Sequence, residues 1–188
     1  MKNLWLYLVF LWRSTNQHGI HSPFVFALVT KCFYAKKKYN TYNEFNTNRA
    51  HSKKAKLLCR FVNYFNFDTI YHPEYISKNF KIALSSNPNS VVKTYSGKIP
   101  KITNFKQKQL IYFKSLPLDN SEEFQQFMKQ CSNDSIIIIE DIRQSSTQFQ
   151  YWKQLKSNPL VRVSIDTYWF GILCLRKEQN KEHFTIRI

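Results

Sequence analysis

Two adjacent carboxylates, Glu140 and Asp141, follow a run of four isoleucines and are the residues best placed in this sequence to do chemistry. Paired carboxylates at the end of a strand can bind a divalent cation or act as a general base. Lys114 also follows an apolar run, so an ion pair between this lysine and one of the acids is a third possibility. We favour the ion pair, while cation binding and base catalysis stay open.

Three histidines are the other candidates for acid-base or ligand chemistry. His18 and His21 form an H-x-x-H pair in a polar segment without a nearby cysteine or carboxylate, which is a weak metal signature. Capping and packing of helices is the favoured interpretation of this pair. His72 precedes Pro73 and has Glu74 as a partner along the chain, and a surface histidine is the favoured interpretation. No metal site is predicted.

The elements that must position these residues alternate along the chain after residue 67. Strands are predicted at Thr69 to His72, Val91 to Tyr95, Leu110 to Lys114, Ile136 to Glu140, Val161 to Ile165, Gly171 to Arg176 and Phe184 to Ile188. Helices are predicted between strands at Glu74 to Ser85, Asp119 to Gln130 and Ser145 to Lys156. Strand-helix alternation and the β-branched run IIIIEDI predict an α/β three-layer sandwich with a mostly parallel sheet. The last strands have no helix between them, which predicts an antiparallel edge.

The carboxyl ends of parallel strands are where open α/β sheets bind ligands, near the point where the strand order reverses. This rule places the candidate chemistry at residues 71–77, 95–98, 114–117 and 140–143.

Residues 1–66 are predicted to form a basic helical region that precedes the sheet domain at 67–188. The nine apolar residues Leu4 to Trp12 would form a helix about 14 Å long, too short to span a bilayer. A buried helix is the favoured interpretation, while an interfacial anchor and a docking helix for a partner stay open. No convincing signal-peptide cleavage site follows this run. Two further helices are predicted, from Pro23 to about Lys36 and from about Ser52 to Phe65.

The charge of the chain is strongly positive, because 28 lysines and arginines face 12 acids and give a formal net charge of +16. Such a field attracts RNA, a ribonucleoprotein, an anionic membrane or an acidic protein surface. The four cysteines are widely separated in apolar stretches and predict reduced core residues in a cytoplasmic protein. A position peripheral to the membrane stays open because of the apolar run Leu4 to Trp12. The predicted basic patch consists of Lys36, Lys37, Lys38, Lys53, Lys54, Lys56 and Arg60.

Three segments carry a family resemblance: RSTNQHGIHSPFVFALVTKCFY, IIIIEDIRQS and VSIDTYWFGILCLRKEQNKEHFTIRI. Through them most of the chain resembles a group of class I S-adenosylmethionine-dependent methyltransferase-like proteins of Bacteroidota. The resemblance implies a Rossmann-like methyltransferase sheet of seven strands with an antiparallel end, preceded by helices. The family segment between the second and fourth strands is shortened here, which implies a missing or vestigial third strand.

The resemblance also implies where a cofactor would lie. Relatives carry an acid, a glycine and a second glycine across the first strand-to-helix turn, at positions that correspond to Tyr71, Pro73 and Ser77. The acid that grips the cofactor ribose corresponds to Ser96, and the acid that often closes the family's fourth strand corresponds to Lys114. Only Glu140 and Asp141 still match acids of the family, so they are the candidate catalytic residues.

These replacements predict a degenerate cofactor loop running through Tyr71, His72 and Pro73. Proline keeps the backbone away from a ligand and has no N–H to donate. Each lost charge-assisted hydrogen bond is worth about 1.5–3 kcal/mol, so two or three losses weaken binding by several powers of ten. No cofactor is therefore expected, or S-adenosylmethionine if the protein is active.

The function implied is that of a pseudoenzyme: a methyltransferase-family protein with impaired or lost S-adenosylmethionine binding that acts as a basic binding or scaffold protein. Two alternatives stay open. One is an active methyltransferase that modifies an anionic substrate. The other is an RNA- or ribonucleoprotein-binding subunit of a larger complex, which the mixture of aromatic residues and lysines in NFKQKQLIYFK favours.

Overall fold

The computed structural model describes residues 2–45, 49–117 and 121–188, which form one seven-stranded sheet and six α-helices. The helices are α1 (Lys2–Arg13), α2 (Pro23–Leu28), α3 (Arg49–Phe65), α4 (Lys78–Leu84), α5 (Ser121–Gln130) and α6 (Ser146–Ser157). Helix α2 continues into a π-helical turn at Val29–Phe33, and short 3₁₀ turns lie at Gln17–Gly19 and Asn40–Glu44.

The sheet contains all seven predicted strands, each with bounds within three residues of the prediction. They are β1 (Thr69–Pro73), β2 (Val91–Tyr95), β3 (Gln109–Phe113), β4 (Ile136–Glu140), β5 (Val163–Asp166), β6 (Phe170–Cys174) and β7 (Glu182–Thr185). The spatial order is β2-β1-β3-β4-β6-β5-β7. Strand β6 runs antiparallel to both of its neighbours, and the other neighbouring pairs are parallel. The α/β class and the mostly parallel sheet are confirmed.

The sheet has a hydrophobic core on each face, as a three-layer arrangement requires. Ile136 and Ile138 point into the core shared with α2, α3 and α4, whereas Ile137 and Ile139 point into the core shared with α5 and α6. This alternation explains why the run is apolar at every position: successive side chains of a strand point to opposite faces, and both faces are covered.

Two helix starts follow from local chemistry. Helix α2 begins at Pro23 directly after Ser22, as predicted. Helix α4 begins four residues later than predicted, because the backbone N–H of Glu74 still donates to the carbonyl of Tyr95 at 3.0 Å. The Ser77 hydroxyl then accepts the N–H of Phe80 at 3.3 Å and caps the helix.

Beyond β2 the described residues contain no further strand on that side of the sheet. Residues 96–108 form a coil without a helix or strand. Within this coil, Ile102 is buried in the core on the α5 side, and Ile99 packs against that core. The coil therefore covers the part of this face beside α5.

Helix α1 differs from the favoured prediction, because it is largely exposed. The exposed fractions are 65% for Leu4, 67% for Trp5, 50% for Leu8 and 85% for Trp12, whereas Phe10 is buried at 4%. The prediction of a buried helix is wrong, since an all-apolar sequence cannot say which face meets the core. None of the described helices is long and apolar enough to cross a bilayer.

Candidate functional site

The carboxyl ends of β1, β2, β3 and β4 meet at one edge of the sheet, because these four strands are parallel. The crevice between β1 and β3 is the point where the strand order reverses, since β2 lies on one side of β1 and β3 on the other. A ligand of an open α/β sheet is expected at this crevice.

A tyrosine spans this crevice. The β1–β3 ladder stops at the pair Tyr71 and Ile111, whereas β1 stays paired with β2 as far as Pro73 and Tyr95. Pro73 has no N–H with which to continue the ladder towards β3. The Tyr95 hydroxyl reaches past the end of β1 and donates to the backbone carbonyl of Tyr112 at 2.9 Å. Burial raises the pKa of Tyr95, which keeps this phenol a donor.

The other positions of the predicted cofactor loop also have structural roles. Tyr71 is 3% exposed and packs in the core on the α5 side, with Lys93 Nζ 5.9 Å from its ring centroid. His72 is also 3% exposed, so the prediction of a surface histidine is wrong. Its Nδ1 lies 2.8 Å from the carbonyl oxygen of Pro73, and burial lowers the pKa of its imidazole. Ser77 caps α4, and Ser96 is exposed after β2.

Glu140 ends β4 and is half-buried on the α3 side of the sheet. The hydroxyl of Tyr112 donates to Glu140 Oε2 at 2.7 Å. Burial is the main reason why the pKa of Glu140 is raised, and the neighbouring Asp141 carboxylate adds to it. The hydrogen bond from Tyr112 and the charges of Lys54 and Lys114 act in the opposite direction. A carboxyl with a raised pKa beside a phenol is an arrangement that can move a proton.

Asp141 forms the ion pair of this edge, but with a different lysine from the predicted one. Lys54 Nζ on α3 lies 2.9 Å from Asp141 Oδ1. Asp141 adopts a left-handed backbone conformation with φ of 46°, which turns it out of the direction of β4. Lys114 is exposed at the end of β3 and acts on Glu140 only through its charge. The predicted ion pair with Lys114 is therefore wrong, and Asp141 pairs instead with Lys54 of α3.

The predicted basic patch divides into solvent-facing and structural members. Lys36, Lys37, Lys38 and Lys53 are exposed, and Lys37 Nζ also lies 5.1 Å from the centroid of the Tyr39 ring. Arg60 instead donates to the backbone carbonyls of Cys32 and Phe33 at 3.0 and 2.9 Å, which closes the π-helical turn.

Two further members of the patch also have partners. Lys54 pairs with Asp141, and Lys56 lies over the ring of Tyr42 with Nζ 5.4 Å from its centroid. Four exposed lysines thus form the available part of the patch, and Arg60 supports the fold.

Sequence reasoning missed a second charged cluster at this end of the sheet. Arg143 makes a two-pronged contact with the buried carboxylate of Asp166, with Nη1 2.7 Å from Oδ1. Its guanidinium carbon also lies 5.3 Å from the centroid of Phe10, 4.8 Å from that of Phe149 and 5.2 Å from that of Tyr168. The cluster joins α1 to the β5–β6 turn and to α6. The sequence signal for this cluster is that Arg143 follows the apolar strand β4 and Asp166 ends the apolar strand β5. The sequence does not show that they pair, because the pairing depends on the strand order.

His18, His21 and the cysteines show no ligand arrangement in the part of the chain that the structure describes. His18 and His21 are exposed, and the His18 N–H donates to Asn16 Oδ1 at 3.1 Å in a local turn. Among the described residues, no group of three or more His, Cys, Asp or Glu side chains is placed to hold a metal ion. The four cysteines are free, as predicted.

Comparison with known proteins gives no further identification: no protein-family model matches the chain, and no curated protein is similar to it in sequence. The methyltransferase resemblance therefore stays a prediction that the α/β fold permits.

Proposed function

We propose that this protein is a non-catalytic binding protein on a Rossmann-like, methyltransferase-type scaffold, and that it holds a large anionic partner without using S-adenosylmethionine. The observation that carries the proposal is the Tyr95 hydroxyl, which crosses the crevice between β1 and β3 and bonds to the Tyr112 carbonyl at 2.9 Å. A cofactor of this scaffold would need that space.

The residues around the crevice do not fit the cofactor for three further reasons. Pro73 stands where a close backbone approach needs glycine. Tyr71 is enclosed in the core at 3% exposure and offers no carboxylate to the cofactor. Ser77 uses its hydroxyl to cap α4. Each of these groups already has a structural partner, so a ligand would have to displace packing and hydrogen bonds together.

The anionic partner is supported by charge that the fold leaves available. The formal net charge is +16. Lys36, Lys37, Lys38 and Lys53 are exposed near α3, and the coil after β2 exposes two more lysines, Lys101 and Lys106. Positive charge distributed over a surface in this way attracts a polyanion through many weak, salt-sensitive contacts.

Calorimetric titration with S-adenosylmethionine tests the first half of the proposal. No heat of binding is expected up to about millimolar cofactor, because the lost contacts correspond to several powers of ten in affinity. S-adenosylhomocysteine serves as a second ligand without the sulfonium charge. Micromolar binding of either ligand would contradict the proposal.

Retention on immobilised heparin against salt tests the second half. Log retention is expected to fall steeply with log salt, and exchanging Lys36, Lys37 and Lys38 for Gln should reduce the slope by about one for each lysine that contacts the polyanion. A control variant exchanges Lys78, Lys129 and Lys177 for Gln, which removes the same charge elsewhere. Equal effects of both variants would show that only net charge matters and would contradict a specific surface.

A second candidate function, an active enzyme, is favoured by one observation: the raised pKa of Glu140 beside the Tyr112 hydroxyl at 2.7 Å. Methyl transfer to an anionic substrate by the purified protein, abolished in Glu140→Gln, would establish it. If neither the original protein nor Glu140→Gln transfers a methyl group, the binding function stays the conclusion.

A further inference from the structure

Helix α1 has one face that nothing in the described structure covers. Leu4, Leu8 and Trp12 follow one another at intervals of four residues, and Trp5 lies beside them on the same side of the helix. All four are at least half exposed, with Trp12 at 85%. Four large apolar side chains on one face of a single helix form a patch of the kind that marks an interaction site.

The opposite face fixes α1 firmly to the body of the protein. Phe10 is buried at 4% and its ring lies 5.3 Å from Tyr168, while Tyr7 meets Tyr168 edge-on at 4.9 Å. Arg143 stacks on Phe10 and is held by Asp166. The patch is therefore presented outward in one orientation and is not free to fold back.

The chain that leaves α1 adds a second attachment. The N–H of Thr15 donates to the carbonyl of Thr185 at 2.8 Å, and Thr15 forms a β-bridge with Ile186 at the end of β7. The C-terminal end of α1 is thus attached to the edge strand β7, while Tyr7 and Phe10 hold the helix against the turn between β5 and β6.

The charges around α1 identify the surface that it fits. Each of three acids at this end already has a partner: Asp141 pairs with Lys54, Asp166 with Arg143, and Glu140 accepts from Tyr112. Exposed cations remain, namely Arg13 in the last turn of α1, Lys53 on α3, Lys114 after β3 and Lys153 on α6. Two of these cations lie beside the apolar patch: Arg13 belongs to α1 itself, and Lys153 Nζ lies 5.0 Å from the centroid of Phe149, which lines a cavity together with Trp5.

From these contacts we propose that α1 docks the protein on an anionic lipid bilayer, with Leu4, Trp5, Leu8 and Trp12 inserted at the headgroup level. Tryptophan is enriched at that level, and an interfacial helix combines buried apolar area with attraction to anionic lipids. The proposal rests on the proposed function, because it names one anionic partner for the basic scaffold.

A cavity of about 380 Å³ beside α1 extends the apolar face. It is lined by Trp5, Leu6 and Phe149, together with polar residues at the start of α6 that include Ser145 and Gln150. Acyl-chain carbon can contact the apolar wall while headgroup oxygens meet the polar one.

Vesicle binding of the full chain tests the proposal. The vesicles contain phosphatidylcholine with about 30% phosphatidylserine, and pure phosphatidylcholine vesicles are the comparison. We expect cosedimentation with the anionic vesicles, loss of binding with added salt, and a blue shift of tryptophan fluorescence as Trp5 and Trp12 leave water. Trp152 is buried and should contribute no shift.

A matched pair of variants assigns the binding to the helix face. Leu8→Gln with Trp12→Gln is expected to weaken binding by about tenfold for each exchange, because each large apolar side chain that leaves water contributes at least one power of ten. Leu8→Met with Trp12→Phe keeps the apolar face and should bind within about twofold of the original protein. Both positions are exposed, so unchanged urea midpoints confirm that the fold is kept.

Three results would overturn the proposal. Equal binding to neutral vesicles would remove the role of charge. A concentration-dependent dimer that the Gln variant abolishes would show that the face binds a second copy. Retention on heparin without any vesicle binding would exclude the lipid partner and leave the proposed function standing. Micromolar binding of S-adenosylmethionine would instead contradict the proposed function and leave the vesicle result unaffected.

Discussion

The two halves of the carboxyl edge of the sheet contrast in how they use polar groups. At the crevice between β1 and β3, the side chains of Tyr71 and His72 are buried. His72 and Tyr95 each contact a backbone carbonyl, so their hydrogen bonds stay within the protein. At the β4 and β5 ends, buried charges are paired, as in Arg143 with Asp166, and an apolar helix above them faces outward.

The contrast teaches that the same edge can be closed in one half and equipped for contact in the other. Where a cofactor scaffold needs an open crevice and carboxylates, this chain has a phenol bridge and a proline. At the ends of β4 and β5, this chain has a helix that is held in place by Phe10, Tyr168 and Arg143.

Removing Arg143 should have the largest effect on stability. Arg143→Ala leaves the buried Asp166 carboxylate without its partner and is expected to lower the free energy of unfolding by about 3–5 kcal/mol. Urea denaturation followed by circular dichroism measures it. Gln150→Ala, an exposed change on α6, is the control. A loss below about 1 kcal/mol would mean that the cluster is not what holds α1.

Introducing acids at Tyr71 and Ser96 should distinguish a core position from a surface position in the other half. Tyr71→Glu places a carboxylate in the core and removes a packed ring, so a loss of about 3 kcal/mol or more is expected. Ser96→Asp is exposed and should stay within about 0.5 kcal/mol of the original protein. Urea midpoints measure both variants, and similar losses at the two positions would refute the assignment of Tyr71 to the core.

Substitutions at Gly171 and Gly97 compare the crowding around the backbone in the two halves of the carboxyl edge. A Cβ at Gly171 in β6 would lie 2.7 Å from Trp152 Cζ3 and 2.8 Å from Ile142 Cγ2, so Gly171→Ala should cost about 1–3 kcal/mol. At Gly97, after β2, the nearest atom is the carbonyl oxygen of Ile99 at 3.7 Å, an ordinary contact. Gly97→Ala should therefore leave the melting temperature nearly unchanged, and a larger drop for Gly97 than for Gly171 would reverse the account.

The smallest effect concerns the pH dependence of stability. Burial raises the native pKa of Glu140 above its ordinary value of 4.5, so the folded protein binds this proton more tightly than the unfolded chain. The contribution of Glu140 to stability is complete below pH 4.5 and declines as the pH rises through the raised native pKa. Glu140→Gln keeps an acceptor for Tyr112 without the charge. Its urea midpoint should exceed that of the original protein at pH 7, and the difference should vanish at pH 4.

The control for this measurement is Glu178→Gln. Its carboxylate is exposed, and its pKa is lowered, first by a hydrogen bond from its own backbone. Any change in the urea midpoint of Glu178→Gln at pH 7 should therefore be a decrease, opposite in sign to the change in Glu140→Gln. A midpoint of Glu140→Gln below that of the original protein at pH 7 would show that ionised Glu140 stabilises the fold.

The strands could be predicted from sequence because each is a short apolar or β-branched run bounded by polar residues, and β4 with its four isoleucines is the clearest case. The start of α4 could not be predicted, since it depends on a hydrogen bond from Glu74 to Tyr95 of another strand. Local pattern fixes the type of an element, whereas contacts across the sheet fix its bounds.

The positions of the strand-end residues could be predicted from the sequence, but the partners of their side chains could not. The rule of strand ends identified Pro73, Glu140 and Asp141, and the structure places them on one edge. The partner of Asp141 is Lys54, which lies 87 residues away in the chain, and no sequence spacing points to it. The exposed face of α1 could not be chosen either, because the helix is apolar all round.

The most direct test of the central claim is a crystal structure of the protein soaked in S-adenosylmethionine at about millimolar concentration, well above the affinity of a working site. The account predicts that the Tyr95 hydroxyl stays on the Tyr112 carbonyl, at its distance of 2.9 Å, with no nucleoside density at the crevice. Density for the nucleoside against Pro73 to Ser77, with the Tyr95 ring displaced, would contradict it.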